Sequence, residues 1–246
     1  MTLYGWKTKF NKIRKEFGYS ELEDTRSAKK LNSILNKKSD YKQLKNIINK
    51  KTVIIIGAGP SLLKSLNYIK KMKNVTIIAA DGAVQALLEK NIKPNILVTD
   101  LDGDLDSIKK IGKLKIPIVV HAHGDNYEKL DIVKQFTIVI GTTQTNSIGK
   151  IKNFGGFTDG DRCVFLAEFF DAKKIVLIGM DFGTKIGKYS KVKIVNRKIK
   201  LKKLKCGKEI LEWFGTKSKA GLYSTSVIRG FEKIQVSELS KFDTNS

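Results

Sequence analysis

Short apolar runs alternate with amphipathic stretches through the middle of the chain. Runs rich in Val and Ile recur, each followed by a polar cluster and then by a segment whose apolar residues have helical spacing. Val and Ile favour strands, and runs that are apolar throughout are typical of strands buried on both faces of a sheet. The predicted strands are 52–56, 75–79, 96–98, 116–120, 136–140 and 174–178.

This alternation of strands and helices predicts a parallel sheet covered by helices on both faces. The expected fold is therefore a doubly wound, mostly parallel, Rossmann-like α/β fold. Residues 1–50 include apolar residues at helical spacing, such as Trp6 and Phe10, and predict an N-terminal helical extension. We expect the α/β core to span 51–184 and the basic segment 185–246 to pack back on it through aromatic and aliphatic side chains.

Aspartates occupy every second position after the third predicted strand: Asp100, Asp102, Asp104 and Asp106. Ligands of open α/β sheets bind at the carboxyl ends of the strands. Closely spaced acids there favour a hard cation such as Mg²⁺, which also takes phosphate oxygens. One of the four, Asp104 or Asp106, is expected to cap the following helix instead. A calcium loop is not expected, because Gly103 precedes the third acid and lysines follow.

Composition adds little to this picture except a large positive charge. The chain has 246 residues, of which 41% are hydrophobic, and its net charge is +23. No apolar run approaches the roughly 18–20 residues needed to cross a bilayer. The start lacks the apolar core of a signal peptide. Cys163 and Cys206 have no metal-ligand spacing, so we expect a reduced, cytoplasmic protein. The charge would attract anionic nucleotides, but without a recognisable module we do not expect a nucleic-acid function.

The first predicted strand ends in a glycine turn that opens a helix. Gly57 and Gly59 permit a tight turn, and Pro60 suits the first helical turn. Free N–H groups near Ser61 could bind an anion. The third glycine of the dinucleotide fingerprint is absent, because Leu62 stands in its place. A phosphate site, a simple tight turn and a methyl-donor site all remain open.

Two histidines, the only ones in the chain, follow the fourth predicted strand. Strand alternation points His121 and His123 to the same side. With Asp125 they could bind zinc, grip a substrate or simply end a strand. Zinc is the least expected of the three, because no third soft ligand is evident.

A glycine-rich loop at 153–163 leads into an apolar helix predicted at 164–170, so the helix N-terminus points at the loop. Two acids and Arg162 line this loop. Beyond the last predicted strand, 185–208 is very basic. It is either a Lys-rich lid over a triphosphate or a solvated insertion, and the insertion is the simpler interpretation.

Several of these motifs together resemble thiamine pyrophosphokinases. The spacing from Lys93-Pro94 favours Asp100 and Asp102 as the matching acids, whereas Asp104 and Asp106 fit the literal motif better. Arg162 stands where that family usually has Lys. The segments that carry the resemblance are 80–83, 93–94, 99–107 and 158–163.

The chain is more similar to the archaeal 6-hydroxymethyl-7,8-dihydropterin pyrophosphokinases, which belong to the same fold family. It shows no equivalent of the β-sandwich domain of thiamine pyrophosphokinases. The resemblance covers roughly 50–185. Its segments are 57–62, 99–104, 121–126 and 155–162.

The resemblance implies diphosphate transfer from ATP, with Mg²⁺, to a pterin alcohol on a route to methanopterin or folate-type cofactors. A homodimer is common for such folds. The implied metal ligands are Asp100, Asp102, Asp104 and Asp159, and the implied catalytic residues are Asp100, Asp102 and Arg162. The implied ATP- and phosphate-binding residues are Gly57, Gly59, Pro60, Ser61, Asp81, Gly82, Thr158, Asp159, Asp161 and Arg162. The implied substrate-binding residues are His121, His123, Asp125, Asn126, Thr142, Thr143, Gln144 and Thr145.

Three alternatives remain. The first is a thiamine pyrophosphokinase. The second is a nucleotide-sugar glycosyltransferase of the flagellin-modifying type, which shares the glycine turn at 57–62 but is usually much longer. The third is a non-enzymatic nucleotide- or nucleic-acid-binding protein, which only the charge suggests.

Overall fold

Parallel strands and flanking helices make up most of the protein. The computed structural model describes residues 3–35, 41–190 and 196–244. The strands within those residues are β1 (Thr52–Ile56), β2 (Thr76–Ala80), β3 (Ile96–Thr99), β4 (Ile118–Ala122), β5 (Val139–Thr143), β6 (Lys174–Ile178), β7 (Gly221–Ser224) and β8 (Glu232–Lys233). The helices are α1 (Trp6–Phe17), α2 (Glu21–Ile34), α3 (Tyr41–Ile48), α4 (Leu62–Ile69), α5 (Ala83–Glu89), α6 (Leu105–Gly112), α7 (Asp159–Phe169) and α8 (Arg197–Gly215), with 3₁₀ helices at Gly124–Gln135 and Val236–Phe242.

The described strands form one sheet in the order β5-β4-β3-β2-β1-β6-β7-β8, and every neighbouring pair is parallel. Ile54 at the centre of β1 lies between Ile77 of β2 and Val176 of β6. Helices connect the strands on both faces, so the predicted doubly wound parallel fold is confirmed. No helix of the described residues is both long and apolar enough to span a bilayer.

Alternation along β1 divides the core between the two faces of the sheet. Ile54 and Ile56 pack with residues of α2, α4, α5 and α6. Val53 and Ile55 pack on the other face with residues of α1, α3, α7 and α8. The side chains of a strand point alternately to opposite faces, so a run of apolar residues serves two layers. The N-terminal helices thus contribute to both layers, through Leu31 of α2 on one face and Trp6 of α1 on the other.

Several element boundaries differ from the predicted ones. β4 continues to include His121, and β5 includes Thr142, because the parallel pairing persists through these polar residues and His121 pairs in register with Thr142. α7 begins at Asp159, five residues before the predicted start, because the side chain of Asp161 accepts a hydrogen bond from the N–H of Thr158, the residue that caps the helix. α4 ends at Ile69, short of the end near Lys73 that the sequence predicts.

Helix α8 joins the basic segment to the apolar C-terminal region. It buries Cys206, Ile210 and Phe214, while most of its lysines are partly or fully exposed. Residues 191–195 of the predicted lid or insertion lie outside the described residues. So do residues 36–40 of the N-terminal helical region and the last two residues of the chain.

Substitution of Leu31 tests how much the packing of α2 on the sheet contributes to stability. Its side chain is 0% exposed, whereas Leu22 on the same helix is 75% exposed. We expect Leu31→Ala to lower the free energy of unfolding by about 2–5 kcal/mol, because it leaves a cavity. Leu22→Ala should change it by less than about 0.5 kcal/mol. Urea denaturation of both variants measures this, and equal midpoints would contradict packing of α2 on the core.

Candidate active site at the carboxyl edge of the sheet

The carboxyl ends of β1, β2, β3 and β6 lie side by side, and a cleft of about 960 Å³ opens over them. β1 and β6 are neighbours in the sheet but distant in sequence, so the strand order reverses between them. Ligands of open α/β sheets bind at such a point. The wall of the cleft consists of the turn after β1, acids after β2 and β3, the start of α7, the end of β6 and lysines of the basic segment.

Four carboxylates meet at one side of the cleft. They are Asp81 after β2, Asp100 and Asp102 after β3, and Asp159 at the start of α7. One ligand oxygen from each lies within 4.8 Å of the others. Asp81 is the most deeply buried, with 3% of its surface exposed. The group therefore places acids from three elements around one point.

Burial and mutual repulsion raise the pKa values of this group. Burial, followed by the charges of Asp100 and Asp102, raises the pKa of Asp81 to about 8. The same causes raise the pKa of Asp159 well above its usual value, although the nearby Arg162 opposes the shift. Like charges this close cannot all ionise without compensation. A divalent cation would supply that compensation.

The donor set fits Mg²⁺. Carboxylate oxygens are the ligands that this ion prefers, and it commonly takes phosphate oxygens as well. Asp81 accepts hydrogen bonds through Oδ2 from the N–H groups of Asp102 and Gly103, at 3.2 and 2.9 Å. Its Oδ1 is buried and has no hydrogen-bond partner among the described residues. An oriented, unsatisfied carboxylate oxygen is what a metal ligand requires.

Glycine at position 103 is required by the close approach of Asp81. A Cβ at Gly103 would lie 2.3 Å from Oδ1 of Asp81. The preceding Leu101 is fully buried with φ +66°, a left-handed conformation that is uncommon for this residue type. The N–H of Leu101 donates a hydrogen bond to the hydroxyl of Thr99 at 2.8 Å. The loop is thus held in a costly conformation that turns Asp100 and Asp102 toward Asp81.

Asp104 is not part of this group. Its Oδ2 accepts a hydrogen bond from the N–H of Ser107 at 2.9 Å and caps α6. The prediction that one of the four aspartates caps this helix is confirmed. The metal group predicted with Asp104 contains Asp81 instead, because the end of β2 lies beside the end of β3.

The glycine turn after β1 lines the cleft, but the N–H groups of Gly57, Gly59 and Ser61 are already bonded. Those of Gly57 and Gly59 donate to carbonyls at the end of β6, at 2.8 and 2.7 Å. The N–H and hydroxyl of Ser61 both donate to Oδ2 of Asp181 at 2.8 Å. Pro60 has no N–H. The anion predicted at this helix start is therefore the chain's own Asp181, and phosphate binding through these N–H groups loses its physical basis.

The first turn of α7 divides its residues between the cleft and the interior. Thr158 and Asp159 line the cleft. Asp161 is fully buried and accepts hydrogen bonds from the N–H and hydroxyl of Thr158. Arg162 is 4% exposed and does not line the cleft; its Nη2 donates to the side-chain oxygen of Gln144 at 3.3 Å. The predicted bidentate phosphate contact of Arg162 is thus not offered by this structure, and Asp161 serves the helix cap.

The predicted substrate-binding residues lie beside the acids, under the ends of β4 and β5. The rings of His121 and His123 stack with centroids 5.5 Å apart, which confirms that they point to the same side. Nε2 of His123 lies 3.4 Å from Oδ2 of Asp100. Asn126 donates to the backbone carbonyls of Asp100 and His121, at 2.7 and 2.6 Å. The side chain of Asp125 is largely exposed.

The other predicted substrate contacts are buried. Thr142 and Thr143 belong to β5, and Gln144 and Thr145 follow it; each is less than 10% exposed, and none lines the main cleft. Thr142 and Thr143 form a polar layer behind the acids, whereas Gln144 and Thr145 line a second cleft beside Trp6 and Asn153.

Three lysines of the basic segment also line the cleft. Lys185 precedes the undescribed residues, and Lys200 and Lys203 project from α8. The sequence signals them only as part of a long basic stretch. Asp181 is signalled by no motif, since its partner Ser61 is 120 positions away.

A parallel α/β sheet of this order, with an acid group that fits a divalent cation and lysines lining the same cleft over its carboxyl edge, is the architecture expected of a protein that acts on a phosphorylated ligand. The family model for MptE-like 6-hydroxymethylpterin diphosphokinases matches residues 25–187, and the chain belongs to this family.

Three archaeal relatives bear the name 6-hydroxymethyl-7,8-dihydropterin pyrophosphokinase. The chain is 45% identical to the protein of Pyrococcus furiosus over 229 residues, covering 90% of this chain and 98% of the relative. It is 42% identical to that of Methanocaldococcus jannaschii, covering 88% and 97%. It is 36% identical to that of Methanothermobacter thermautotrophicus, covering 87% and 95%.

The fold also resembles that of the MAf glycosyltransferase from Magnetospirillum magneticum AMB-1. The TM-score is 0.56 and the identity 14%, over 86% of this chain and 39% of that chain. This similarity shows the fold alone.

The raised pKa of Asp81 predicts that Mg²⁺ binding depends on pH. Below about pH 8 this carboxyl holds a proton that the ion must displace, so affinity should rise as the pH increases toward 8, with proton release. Calorimetry in buffers of different ionisation enthalpy measures both. Asp104→Asn is the matched control, because Asn also caps helices and this residue lies outside the group. Affinity independent of pH between 6 and 8 would contradict the prediction.

Proposed function

We propose that the protein transfers diphosphate from ATP to the hydroxymethyl group of 6-hydroxymethyl-7,8-dihydropterin. The hydroxyl oxygen attacks the β-phosphorus and loses its proton. The bond from that phosphorus to the oxygen bridging to the α-phosphate breaks, and AMP leaves with that oxygen. The products are AMP and the pterin diphosphate. Reactions of this kind depend on positioning and charge neutralisation more than on covalent catalysis.

The observation that carries this proposal is the placement of four carboxylates and three lysines in the lining of one cleft. A metal-bound polyphosphate needs both kinds of group. Asp81, Asp100, Asp102 and Asp159 would hold Mg²⁺, which neutralises phosphate charge when bound. Family membership adds the pterin as the acceptor.

In this proposal lysines bind the phosphates, a role that the sequence predicts for the glycine turn after β1. Lys185, Lys200 and Lys203 reach the cleft from a segment outside the acid-bearing loops. Lys binds phosphate as a point charge and needs no fixed plane of contact. Aromatic and apolar side chains, including Phe157 and Phe182, lie in the same wall and offer contact to a flat ring.

The proposal extends to pathway and location. The product would serve a route to a methanopterin or folate-type cofactor, as is implied by the resemblance of the sequence. Cys163 and Cys206 are free, buried thiols. Burial raises the pKa of Cys206 to about 12, which keeps this thiol unreactive. Reduced cysteines support a cytoplasmic location.

Phosphorus NMR of the protein with ATP, Mg²⁺ and 6-hydroxymethyl-7,8-dihydropterin should show AMP and a new diphosphate ester. Asp102→Asn should abolish both signals while the circular dichroism spectrum stays unchanged, because this carboxylate is a proposed metal ligand. Asp106→Asn, an exposed change in the first turn of α6, should retain turnover. A parallel tube with thiamine tests the acceptor. Product from thiamine alone would show that thiamine, and not the pterin, is the acceptor. Unreacted ATP in both tubes would overturn the proposal.

Lys203 and Lys202 form a matched pair for the phosphate role. Lys203 lines the cleft, whereas Lys202 pairs with Glu16 at 3.1 Å on the outer side of the same helix. We expect Lys203→Gln to raise the KM for ATP on the order of 10-fold, the cost of losing a charged hydrogen bond of about 1.5–3 kcal/mol. Lys202→Gln should leave it unchanged. Steady-state kinetics compares them, and equal effects would remove Lys203 from ATP binding.

A further inference from the structure

A buried acid of the N-terminal helices reaches the polar residues at the ends of β4 and β5. Asp24 of α2 is 2% exposed, although the helix lies outside the strand ends that build the cleft. Its Oδ1 accepts a hydrogen bond from the N–H of Gly124 at 2.9 Å. Its Oδ2 accepts one from Nε2 of Gln144 at 2.7 Å. The acid therefore has one contact with the backbone and one with a side chain of the site.

The contact with Asp24 decides which way the amide of Gln144 points. A carboxylate only accepts hydrogen bonds, so it must face the NH₂ group of the amide. The amide oxygen then faces Nε2 of His121 and Nη2 of Arg162, each at 3.3 Å. Arg162 can only donate, which requires the same orientation. Two independent neighbours thus fix one rotamer of Gln144.

The oriented amide in turn fixes the proton of His121. An acceptor at Nε2 requires the neutral ring to carry its hydrogen there, which leaves Nδ1 as an acceptor. Nδ1 is buried without a hydrogen-bond partner among the described residues. Burial, helped by the charge of Arg162, lowers the pKa of His121 well below its usual value, so the ring is neutral.

Both neighbours of Gln144 lead on to the acid group. His121 stacks on His123, whose Nε2 approaches Asp100 within 3.4 Å. Arg162 is the buried cation whose charge acts on Asp159 and Asp100. A change at Asp24 is therefore transmitted to two of the proposed metal ligands by two routes.

We propose that Asp24 is a positioning residue of the active site: through Gln144 it sets the tautomer of His121 and the orientation of Arg162, and so the arrangement of the carboxylates. The role of Asp24 in turnover rests on the proposed diphosphokinase function, whereas its effect on the tautomer of His121 does not. Asp24 lies just before the residues that the family model matches, 25–187.

Asp24→Asn tests this with little change of shape. The Asn oxygen can still accept from Gly124, but its NH₂ now faces Gln144. We expect the amide of Gln144 to reverse, because its contact with residue 24 is the shorter one, 2.7 Å against 3.3 Å to Arg162, and Nη2 of Arg162 keeps its hydrogen bond to the carbonyl of Phe157 at 3.0 Å. His121 then meets an NH₂ group and must accept at Nε2, so its proton moves to Nδ1. The chain has two histidines, so ¹⁵N-histidine NMR reads both rings directly. We expect the His121 signal of the unchanged chain to show Nε2–H and that of Asp24→Asn to show Nδ1–H.

The kinetic readout separates positioning from folding. Loss of a residue that orients metal ligands typically costs on the order of 10–100-fold in activity. We expect a fall of this size in kcat, measured at saturating ATP and Mg²⁺ so that weaker metal binding does not contribute to it. Asp131→Asn is the matched control. Asp131 lies in the 3₁₀ helix Gly124–Gln135 and forms an ion pair with Lys30 of α2 at 2.7 Å. The substitution removes this ion pair without contact to Gln144.

A double variant provides the rescue. In Asp24→Asn with Gln144→Glu, the Asn NH₂ donates to the new carboxylate, whose other oxygen again accepts from His121 and Arg162. The Nε2–H signal and most of kcat should return. If Asp24→Asn does not fold, Gln144→Met keeps the contact of Asp24 with Gly124 and should abolish the Nε2–H preference.

Two results would overturn the proposal: an unchanged His121 tautomer in Asp24→Asn, or a changed tautomer without loss of activity. If the unchanged chain does not turn over pterin and ATP, the proposed function fails separately. The NMR comparison then stands, with Mg²⁺ affinity by calorimetry in place of kcat. Weaker Mg²⁺ binding in Asp24→Asn than in Asp131→Asn supports positioning, and equal binding overturns it.

Discussion

Repulsion among four carboxylates at the sheet edge is the constraint to which the surrounding structure responds. Asp81 has a pKa raised to about 8, so the folded protein holds this proton more tightly than the unfolded chain does. The resulting stability is complete below the ordinary pKa of 3.8 and is lost as the pH rises through 8. Without a cation, ionisation at higher pH works against the fold. Backbone N–H groups and the buried Arg162 offset part of that cost, and a bound divalent ion would offset more.

The same constraint explains how charge is divided over the cleft. The acids come from short loops directly after β2 and β3 and from the start of α7, which the sheet fixes in place. The lysines come from α8 and the segment before it, which follow β6 in the chain. A rigid acid group and lysines of a separate segment can meet the two ends of a metal-bound polyphosphate. The net charge of +23 thus has a local use, whatever its origin.

Local pattern carried the prediction of the fold and the centre of the site. The Val- and Ile-rich runs identified the six strands of the core, and the acids after β3 identified Asp100 and Asp102. Local pattern did not predict contacts between residues that are distant in the sequence. Asp81 replaces Asp104 because two strand ends are adjacent in space, and Arg162 is drawn into the interior by Gln144. Neither adjacency leaves a periodic signal, because each depends on how separate elements pack.

The glycine turn shows why a motif needs its partners before it has a function. Helix starts attract anions through free N–H groups, and here the attraction is satisfied within the chain by Asp181, which also accepts a hydrogen bond from Ser226 at 3.0 Å. One carboxylate thereby joins the turn after β1, the end of β6 and the segment after β7. A phosphate at the same place would meet that negative charge. The proposed function therefore assigns phosphate binding to a cation held by the acids and to the lysines, and the turn shapes the cleft.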